Sequence, residues 1–340
     1  MISMKEIGKI CGISESTVSK ALSGYAGIKP ETRDRVREVA QKYGYQPNAM
    51  VKCLQTGFSQ SVGIACNHFQ DLFSGAVMDG IQEVLHEAHY DSYVISWDKL
   101  VRSGENLLNR FSRRRVDGLL LLPMEQAPSA AYTTQLYSFP NPVVLVDQFW
   151  GSREFDYVGS NNREAMRELV ESLVRQGFRR IGAVMYSRVS SGEERRAGFL
   201  DAMIEHNLPV SSASLCEMSC CDGNIPNEEI YRLLSSGERP EVIVCFNDNL
   251  AIEVMNTARD IGLQIPEDLA VTGFGNLPFG NMVRPRLTTV DQQAEEIGRK
   301  AARLLLDRIR GRGEITRQEI LVPAKMILRQ SSAYGSTTNK

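Results

Sequence analysis

The sequence predicts a two-part protein: an all-helical head over residues 1–46, then a two-lobed α/β body built on parallel sheets. Three observations lead there. Short capped helical segments fill the N-terminus, whereas apolar strand-like runs alternate with helical patterns from Ser61 onward, which argues for parallel sheets covered on both faces. At 340 residues the chain holds too many strands for one compact sheet, so the body divides into two similar lobes. Charge divides at the same place. Residues 1–57 carry nine Lys/Arg and five acids, a balance of +4, leaving −6 for the remainder of a chain whose net charge is −2. A basic head on an acidic body points to a polyanionic partner for the head alone.

Composition bounds the class. With 42% hydrophobic and 24% charged residues the chain reads as an ordinary globular protein. No apolar run reaches the roughly 18 residues of a membrane span. The start, Met-Ile-Ser-Met-Lys-Glu-Ile-Gly-Lys, holds no signal-peptide h-region, so a cytoplasmic location is expected. Seven irregularly spaced cysteines read as reduced thiols.

In the head, Ser3 and Glu6 form a capping box that opens a helix to about Cys11, with Ile7, Ile10 and Cys11 inward. Gly12 breaks it. Ser14 caps a second helix over 15–23 whose inner face is Val18, Ala21 and Leu22. A third helix begins at Pro30 and runs to about Tyr43, with Val36, Val39 and Ala40 inward and Lys29 in place of a capping oxygen. Two short helices joined by a tight turn form a helix-turn-helix pattern. Glu15, Ser16, Lys20 and Ser23 lie on the outer face of the second helix, where Glu15, Ser16 and Lys20 are placed to read base edges. Thr17 and Ser19 contact phosphate or pack. A solvated helix face is the alternative for the whole set.

Residues 47–60 form a linker. Within it, 48–55 reads as a helix with Met50, Cys53 and Leu54 on one face. A helix of that length is marginal in water, so a bound partner has to order it.

In the body, strand runs fall at 62–66, 93–97, 118–122, 143–146, 181–185, 242–245 and 269–272. Helical patterns fall near 74–89, 104–113, 129–137, 161–176, 192–206, 226–236 and 248–262. A late segment at 287–291, a helix over 291–311 and a strand over 318–322 cross back between lobes. The first lobe is thus 61–160 with 291–320, the second 161–290 with 321–330, and 331–340 reads as a frayed tail. Ligands of open α/β sheets bind outside the carboxyl ends of the strands. Those ends supply Phe69, Asp71 and Phe73, Trp97 and Asp98, Asp147 and Trp150, 187–191, Asn247 and Asp248, and 274–276. Aromatics with Asp, Asn and Arg suit a polyol or sugar, giving flat faces to stack on and paired acceptors for hydroxyls.

Several stretches carry a resemblance: Lys5-Glu6-Ile7-Gly8-Lys9, Ile13-Ser14-Glu15-Ser16-Thr17-Val18-Ser19-Lys20-Ala21-Leu22, Tyr43-Gly44-Tyr45-Gln46-Pro47-Asn48-Ala49 and Leu54-Gln55-Thr56-Gly57 in the head. Arg114-Arg115-Val116-Asp117-Gly118, Arg195-Arg196-Ala197-Gly198-Phe199, Cys245-Phe246-Asn247-Asp248 and Pro285-Arg286-Leu287-Thr288-Thr289-Val290 continue it through the body. Over about residues 1–330 the chain resembles the lactose-repressor/galactose-repressor family of transcription regulators. The resemblance implies a head that binds operator DNA as part of a dimer, hinge helices that fold together in the minor groove with Leu54 as the wedge, and a type I periplasmic-binding-protein fold holding a small effector between lobes. The implied DNA-binding set is Ser14, Glu15, Ser16, Thr17, Ser19, Lys20 and Ser23, with Asn48, Lys52 and Leu54 from the hinge. The effector set is Phe73, Asp147, Trp150, Ser191, Arg195, Asn247 and Asn276. Alternatives stay open: a surface ion pair for Arg195, a helix cap for Asp248, ordinary core for Phe73. The chain departs from the family at Gly273-Phe274-Gly275-Asn276, where Gly275 replaces the acid that holds sugar hydroxyls and leaves Asp71 and Asp147 as substitutes. In the hinge, Met50, Val51, Lys52 and Cys53 replace the usual Leu-Ala-Arg-Ser.

Catalytic signatures are absent. Gly-x-Ser-x-Gly, the P-loop and Gly-x-Gly-x-x-Gly do not occur. Cys216, Cys220 and Cys221 lack a second Cys/His pair at zinc spacing, and His86 and His89 read as a solvated helix face. No cofactor is expected. The expectation is a cytoplasmic regulator, not an enzyme, that binds a palindromic double-stranded operator as a homodimer under the control of a small-molecule effector of the carbohydrate class. A solute-binding transport protein, or a nucleobase or sugar phosphate as effector, is the alternative.

Overall fold

The computed structural model describes residues 2–45, 53, 57–66, 71–96, 106–123, 134, 136–150, 154–187, 189–210, 214–218, 227–237, 239–313 and 316–333. The chain divides into two compact units, Met1–Ser59 and Gln60–Lys340. Asn48, Lys52 and Leu54 lie outside the described residues, as do Phe69, Trp97, Asp98, Cys220, Cys221 and most of the helix expected at 129–137.

The first unit holds helices α1 (Met4–Cys11), α2 (Glu15–Leu22) and α3 (Pro30–Lys42). The capping box forms: the Ser3 amide donates to Glu6 Oε2 at 2.8 Å and the Glu6 amide to Ser3 Oγ at 3.3 Å. Ser14 Oγ accepts from the Thr17 amide at 3.2 Å, while Lys29 contributes no side-chain cap to α3. Ile7, Cys11, Val18, Ala21, Val36 and Ala40 make the core, with Leu22 and Val39 packed against it. Ile10 does not join them and is 44% exposed. On an eight-residue helix the buried stripe runs through Ile7, Gly8 and Cys11, and Ile10 falls to its side.

In the second unit, six parallel strands form one sheet in the order β11-β5-β4-β3-β1-β2. They are β1 (Ser61–Cys66), β2 (Asp91–Ser96), β3 (Gly118–Leu121), β4 (Val143–Val146), β5 (Asp156–Ser160) and β11 (Glu319–Val322). A second parallel sheet, β7-β6-β8-β9, comprises β6 (Ile181–Tyr186), β7 (Leu215–Met218), β8 (Val242–Cys245) and β9 (Ala270–Thr272). An antiparallel pair, β10 (Thr289–Asp291) with β12 (Lys325–Ile327), completes the strands among the described residues. Among the described residues the α-helices of this unit are α4 (Leu72–Glu87), α5 (Leu107–Arg114), α6 (Asn162–Gln176), α7 (Ser190–Glu205), α8 (Asn227–Ser235), α9 (Asp248–Asp260) and α10 (Ala294–Ile309). Helix α4 ends at Glu87, so His89 stands past it.

Both faces of the first sheet are covered, as a parallel sheet requires. Val62, Ile64 and Val144 pack under α4 and α10, and Ala65, Leu119 and Leu121 under α5. The second lobe has one continuous core, from Met166 on α6 through Phe199 on α7 to Val254 on α9. One helix pair in each lobe meets backbone to backbone. A Cβ on Gly80 of α4 would stand 1.9 Å from Glu295 O on α10, and one on Gly298 of α10 2.0 Å from Val77 O. A Cβ on Gly198 of α7 would stand 2.0 Å from Arg163 O on α6.

The chain crosses between lobes after β5, after β10 and after β11, and the crossings are bonded together. The Asn161 amide donates to Val322 O at 3.2 Å, the Ala324 amide to Asn161 Oδ1 at 2.8 Å, and Gln293 Nε2 to Pro323 O. Because β11 pairs with β5 through Val322, the last crossing falls two residues beyond the boundary read from sequence. The tail also differs from expectation at its start. Ser331 and Ser332 are buried, with Ser331 Oγ donating to Val271 O at 2.6 Å and accepting from the Thr288 amide at 2.9 Å. Two long-range hydrogen bonds capture a polar segment that composition alone assigns to solvent.

Candidate nucleic-acid interface and effector cleft

On the head, Glu15, Ser16, Lys20 and Ser23 are exposed, Thr17 and Ser19 half-buried. Ser14 and Thr17 are held to each other, Oγ to Oγ1 at 2.8 Å, so this pair builds the start of α2. Ser23 Oγ donates to Lys20 O at 3.2 Å and closes the other end. Lys20 Nζ lies 5.6 Å from the Tyr25 ring centroid, which steadies its long side chain along the outer face. What remains outward is a short polar surface with one cation and one carboxylate.

In the body, Arg195 occupies the middle of the predicted effector set. It is not the surface ion pair that was its alternative: only 2% is exposed. Nε donates to Asn162 Oδ1 at 2.9 Å, Nη1 to Phe246 O at 2.7 Å and Nη2 to Gln292 Oε1 at 2.8 Å. The Phe246 and Phe274 rings lie 4.4 and 3.9 Å from its guanidinium carbon. Three of five N–H groups are thereby spent on the protein, and two remain. Burial pulls its pKa down to about 10, against the pull of Asp147 and Glu194.

Asp147 follows β4 in a left-handed conformation, φ 66°, which Asp tolerates better than most residues. Its backbone is fixed on both sides: its amide donates to Val158 O at 2.8 Å and the Tyr157 hydroxyl donates to its carbonyl at 2.9 Å. Its Oδ1 is enclosed and has no hydrogen-bond partner. Burial pushes its pKa up to about 6, Asp71 and Glu194 add to the rise, and Arg195 opposes it.

The other predicted residues separate by role. Phe73 is half-buried against the first-lobe core and Trp150 against its opposite face. Ser191 is buried in the first turn of α7, but the polar contact across the lobes belongs to its neighbour: Ser190 Oγ accepts from the Phe149 amide at 3.0 Å. Asn247, not Asp248, caps α9, its Oδ1 accepting from the Leu250 amide at 2.9 Å. Asp248 is fully buried, takes the Thr289 hydroxyl at 2.5 Å and the Leu277 amide at 2.6 Å, and so holds the turn carrying Gly275. Asn276 spends its side chain on Arg329 Nη2 at 2.7 Å and Asp291 at 3.3 Å. Gln292 and Asn162 were missed in the sequence. Each sits in a polar run at a helix start, and only the fold brings them to Arg195.

Among the described residues no helix is long and apolar enough to cross a membrane, and no group of His, Cys, Asp and Glu is arranged to hold a metal.

A three-helix head with an exposed polar recognition helix, followed by two parallel α/β lobes hinged at three crossings, defines a ligand-responsive DNA-binding regulator. Residues 3–48 match the bacterial regulatory proteins of the lacI family, and residues 170–332 match the periplasmic binding protein-like domain. Catabolite control protein A of Priestia megaterium is 27% identical over 97% of this chain and 99% of its own. Two solved structures share the fold. The lac repressor dimer bound to operator and an anti-inducer superposes with a TM-score of 0.84 at 18% identity, covering 97% of this chain and 99% of that one. A transcriptional regulator CelR in complex with cellobiose gives a TM-score of 0.71 at 22% identity, over 97% and 100%. Its head thus matches the lacI family and its body the periplasmic binding protein-like domain, the two parts of an effector-controlled, DNA-binding transcriptional repressor that is not an enzyme.

Proposed function

We propose that this chain acts in the cytoplasm as a homodimer on a palindromic operator, and that a neutral carbohydrate bound between its lobes sets operator affinity. Glu15, Ser16 and Lys20 read base edges, Ser14, Thr17 and Ser19 set the recognition helix against phosphate, and Asn48, Lys52 and Leu54 form the hinge that enters the minor groove. Phe73 and Trp150 offer faces for sugar rings, and Asn247 and Asn276 support the second-lobe wall. The observation that carries the effector reading is the enclosed Asp147 Oδ1 with no partner. A buried acceptor left unpaired costs about 1–3 kcal/mol, which a ligand hydroxyl would recover. Asp147 then takes the place of the carboxylate missing at Gly275, with the two remaining Arg195 N–H groups beside it. Asp71 and Glu194 add negative charge to this field, which disfavours a phosphorylated ligand. A regulator of the same fold was solved in complex with cellobiose, which agrees with a sugar as the ligand class.

A thermal-shift screen tests the effector class, because a ligand that binds only the folded state raises Tm by mass action. A neutral mono- or disaccharide should raise Tm in the parent chain and lose that effect in Asp147→Asn. A Tm rise with sugar phosphates or nucleobases and none with neutral sugars would overturn the carbohydrate reading.

A further inference from the structure

Around the residue at which the chain enters the body stand five exposed arginines: Arg113, Arg114 and Arg115 at the end of α5, and Arg310 and Arg312 just beyond α10. Topology puts them at one edge. Every strand of the six-stranded sheet is parallel to its neighbours, so the turns leading into them share the edge at which β1 begins at Ser61. Arg113–Arg115 precede β3, and 310–318 precede β11.

Contacts bring the two groups to the same spot. A Cβ on Gly118, the first residue of β3, would stand 3.1 Å from Ile309 Cδ1, so the residue before Arg310 packs on the strand that Arg115 introduces. Asp117 lies between: its carboxylate accepts from the Gln60 amide at 2.8 Å, and its own amide donates to Ser61 O at 2.8 Å. The Tyr90 phenol bonds the same carboxylate and feels the charge of Arg310. The entry point of the chain is therefore pinned at the sheet edge that carries these arginines.

Neighbouring arginines on this edge have acids. Arg308 pairs with Asp156 at 2.7 Å and Arg317 with Glu319 at 2.9 Å. Among the described residues no ion pair holds Arg113, Arg115, Arg310 or Arg312, and Arg114 lies 5.1 Å over the Tyr93 ring. Of the acids nearby, Asp117 is buried and bonded to backbone, and Asp91 is exposed. Like charges gathered at one edge without acids repel one another. A polyanion relieves that repulsion, and the guanidinium fork matches phosphate oxygens two at a time.

We propose that this arginine collar is a second DNA-contacting surface, binding the sugar-phosphate backbone beside the bases that the head reads and without base preference. DNA is favoured as the occupant over an acidic protein for two reasons. Residues 58–340 carry a net −6, so the collar is an exception on an acidic body. It also surrounds Gln60, where the body is joined covalently to the DNA-binding unit. The proposal rests on the head's binding of DNA, and the test keeps the two apart.

The full-length protein is titrated against a random-sequence duplex of about 40 base pairs over a salt series, and each neutralised phosphate contributes roughly 0.9 to the slope of log K against log salt. Arg113→Gln/Arg115→Gln/Arg310→Gln/Arg312→Gln should weaken binding about tenfold or more near 0.1 M salt and lower the slope by about 2 or more. The matching Arg→Lys quadruple variant should keep most of the slope, which separates loss of charge from loss of folding. An unchanged slope in the Gln variant, or DNA binding unchanged while an acidic protein is released, overturns the collar. Failure of the parent chain to bind any duplex removes the head's DNA reading instead.

Discussion

Arg195 and Gln292 are 97 residues apart in sequence and bonded at 2.8 Å, Nη2 to Oε1. Gln292 lies on the second crossing, is 4% exposed, and its Oε1 also accepts from Ser160 Oγ at 3.2 Å on the first. The cleft's cation is thereby tied to two of the three crossings that join the lobes. Anything that displaces Arg195 pulls on the hinge.

Replacing Gln292 with Leu keeps most of the volume and removes both bonds. A hydrogen bond to a buried charge contributes about 1.5–3 kcal/mol, so Gln292→Leu should lower unfolding free energy by that amount. Denaturant titration measures it. A loss below roughly 0.5 kcal/mol would mean that Arg195 finds another acceptor.

Asp147 gives a pH dependence of definite sign. The unfolded chain releases this proton near 3.8 and the folded chain at about 6. Below that window both states hold the proton, within it only the folded state does, and above it neither does. Raising the pH from about 4 to 6 therefore withdraws stability. Asp147→Asn cannot ionise, so its Tm should exceed that of the parent chain at neutral pH and converge with it near pH 4. Parallel Tm curves for the two proteins would contradict the enclosed carboxyl.

The hinge prediction concerns Leu54. An apolar side chain wedged at a minor-groove step opens contact surface by kinking the duplex. Leu54→Ala should weaken operator binding by at least tenfold, about 1.4 kcal/mol, while the effector-induced rise in Tm stays as it was. Equal operator affinity in the two proteins would remove the wedge.

Most of the architecture was legible because it is written locally. Ser3 with Glu6, Ser14, and Pro30 after an uncapped Lys29 each mark a helix start that forms. Val-Val-Leu-Val at 143–146 and Val-Ile-Val-Cys at 242–245 are buried strands and read as such. β5, β7 and the three-residue β12 did not. β5 is Asp-Tyr-Val-Gly-Ser, with two apolar residues, and β7 is a half-buried edge strand containing Glu217. Of the site, Arg195 and Asp147 were visible in the motif and at a strand end. Gln292 and Asn162 were not, because their partner is fixed by tertiary folding, and periodicity carries no information about a contact across 97 residues. Asn247 caps α9 in place of Asp248 for the same reason: only the position of Thr289 and Leu277 turns Asp248 inward, where it holds the turn carrying Gly275.

The helix crossing in the first lobe admits a direct test. Gly80→Ala places a methyl 1.9 Å from Glu295 O, a backbone atom that cannot swing away. Overpacking of this kind typically costs about 1–3 kcal/mol. Gly75, on the same helix with nothing within 4 Å of an added methyl, is the control, and Gly75→Ala should leave Tm unchanged or slightly raised. Equal Tm values for the two variants would show that α4 and α10 stand farther apart.

The backbone-to-backbone seams at Gly80, Gly298 and Gly198 have a wider consequence. They stiffen each half, so a molecule settling in the cleft would act as a shim between two stiff jaws, and its message would leave as an angle. Chemistry at the jaw faces then becomes separable from transmission. On the proposed reading, side chains such as Phe73, Trp150 and Asp147 could be exchanged for a different ligand while the lever behind them stays the same, which would let one chassis answer to many signals.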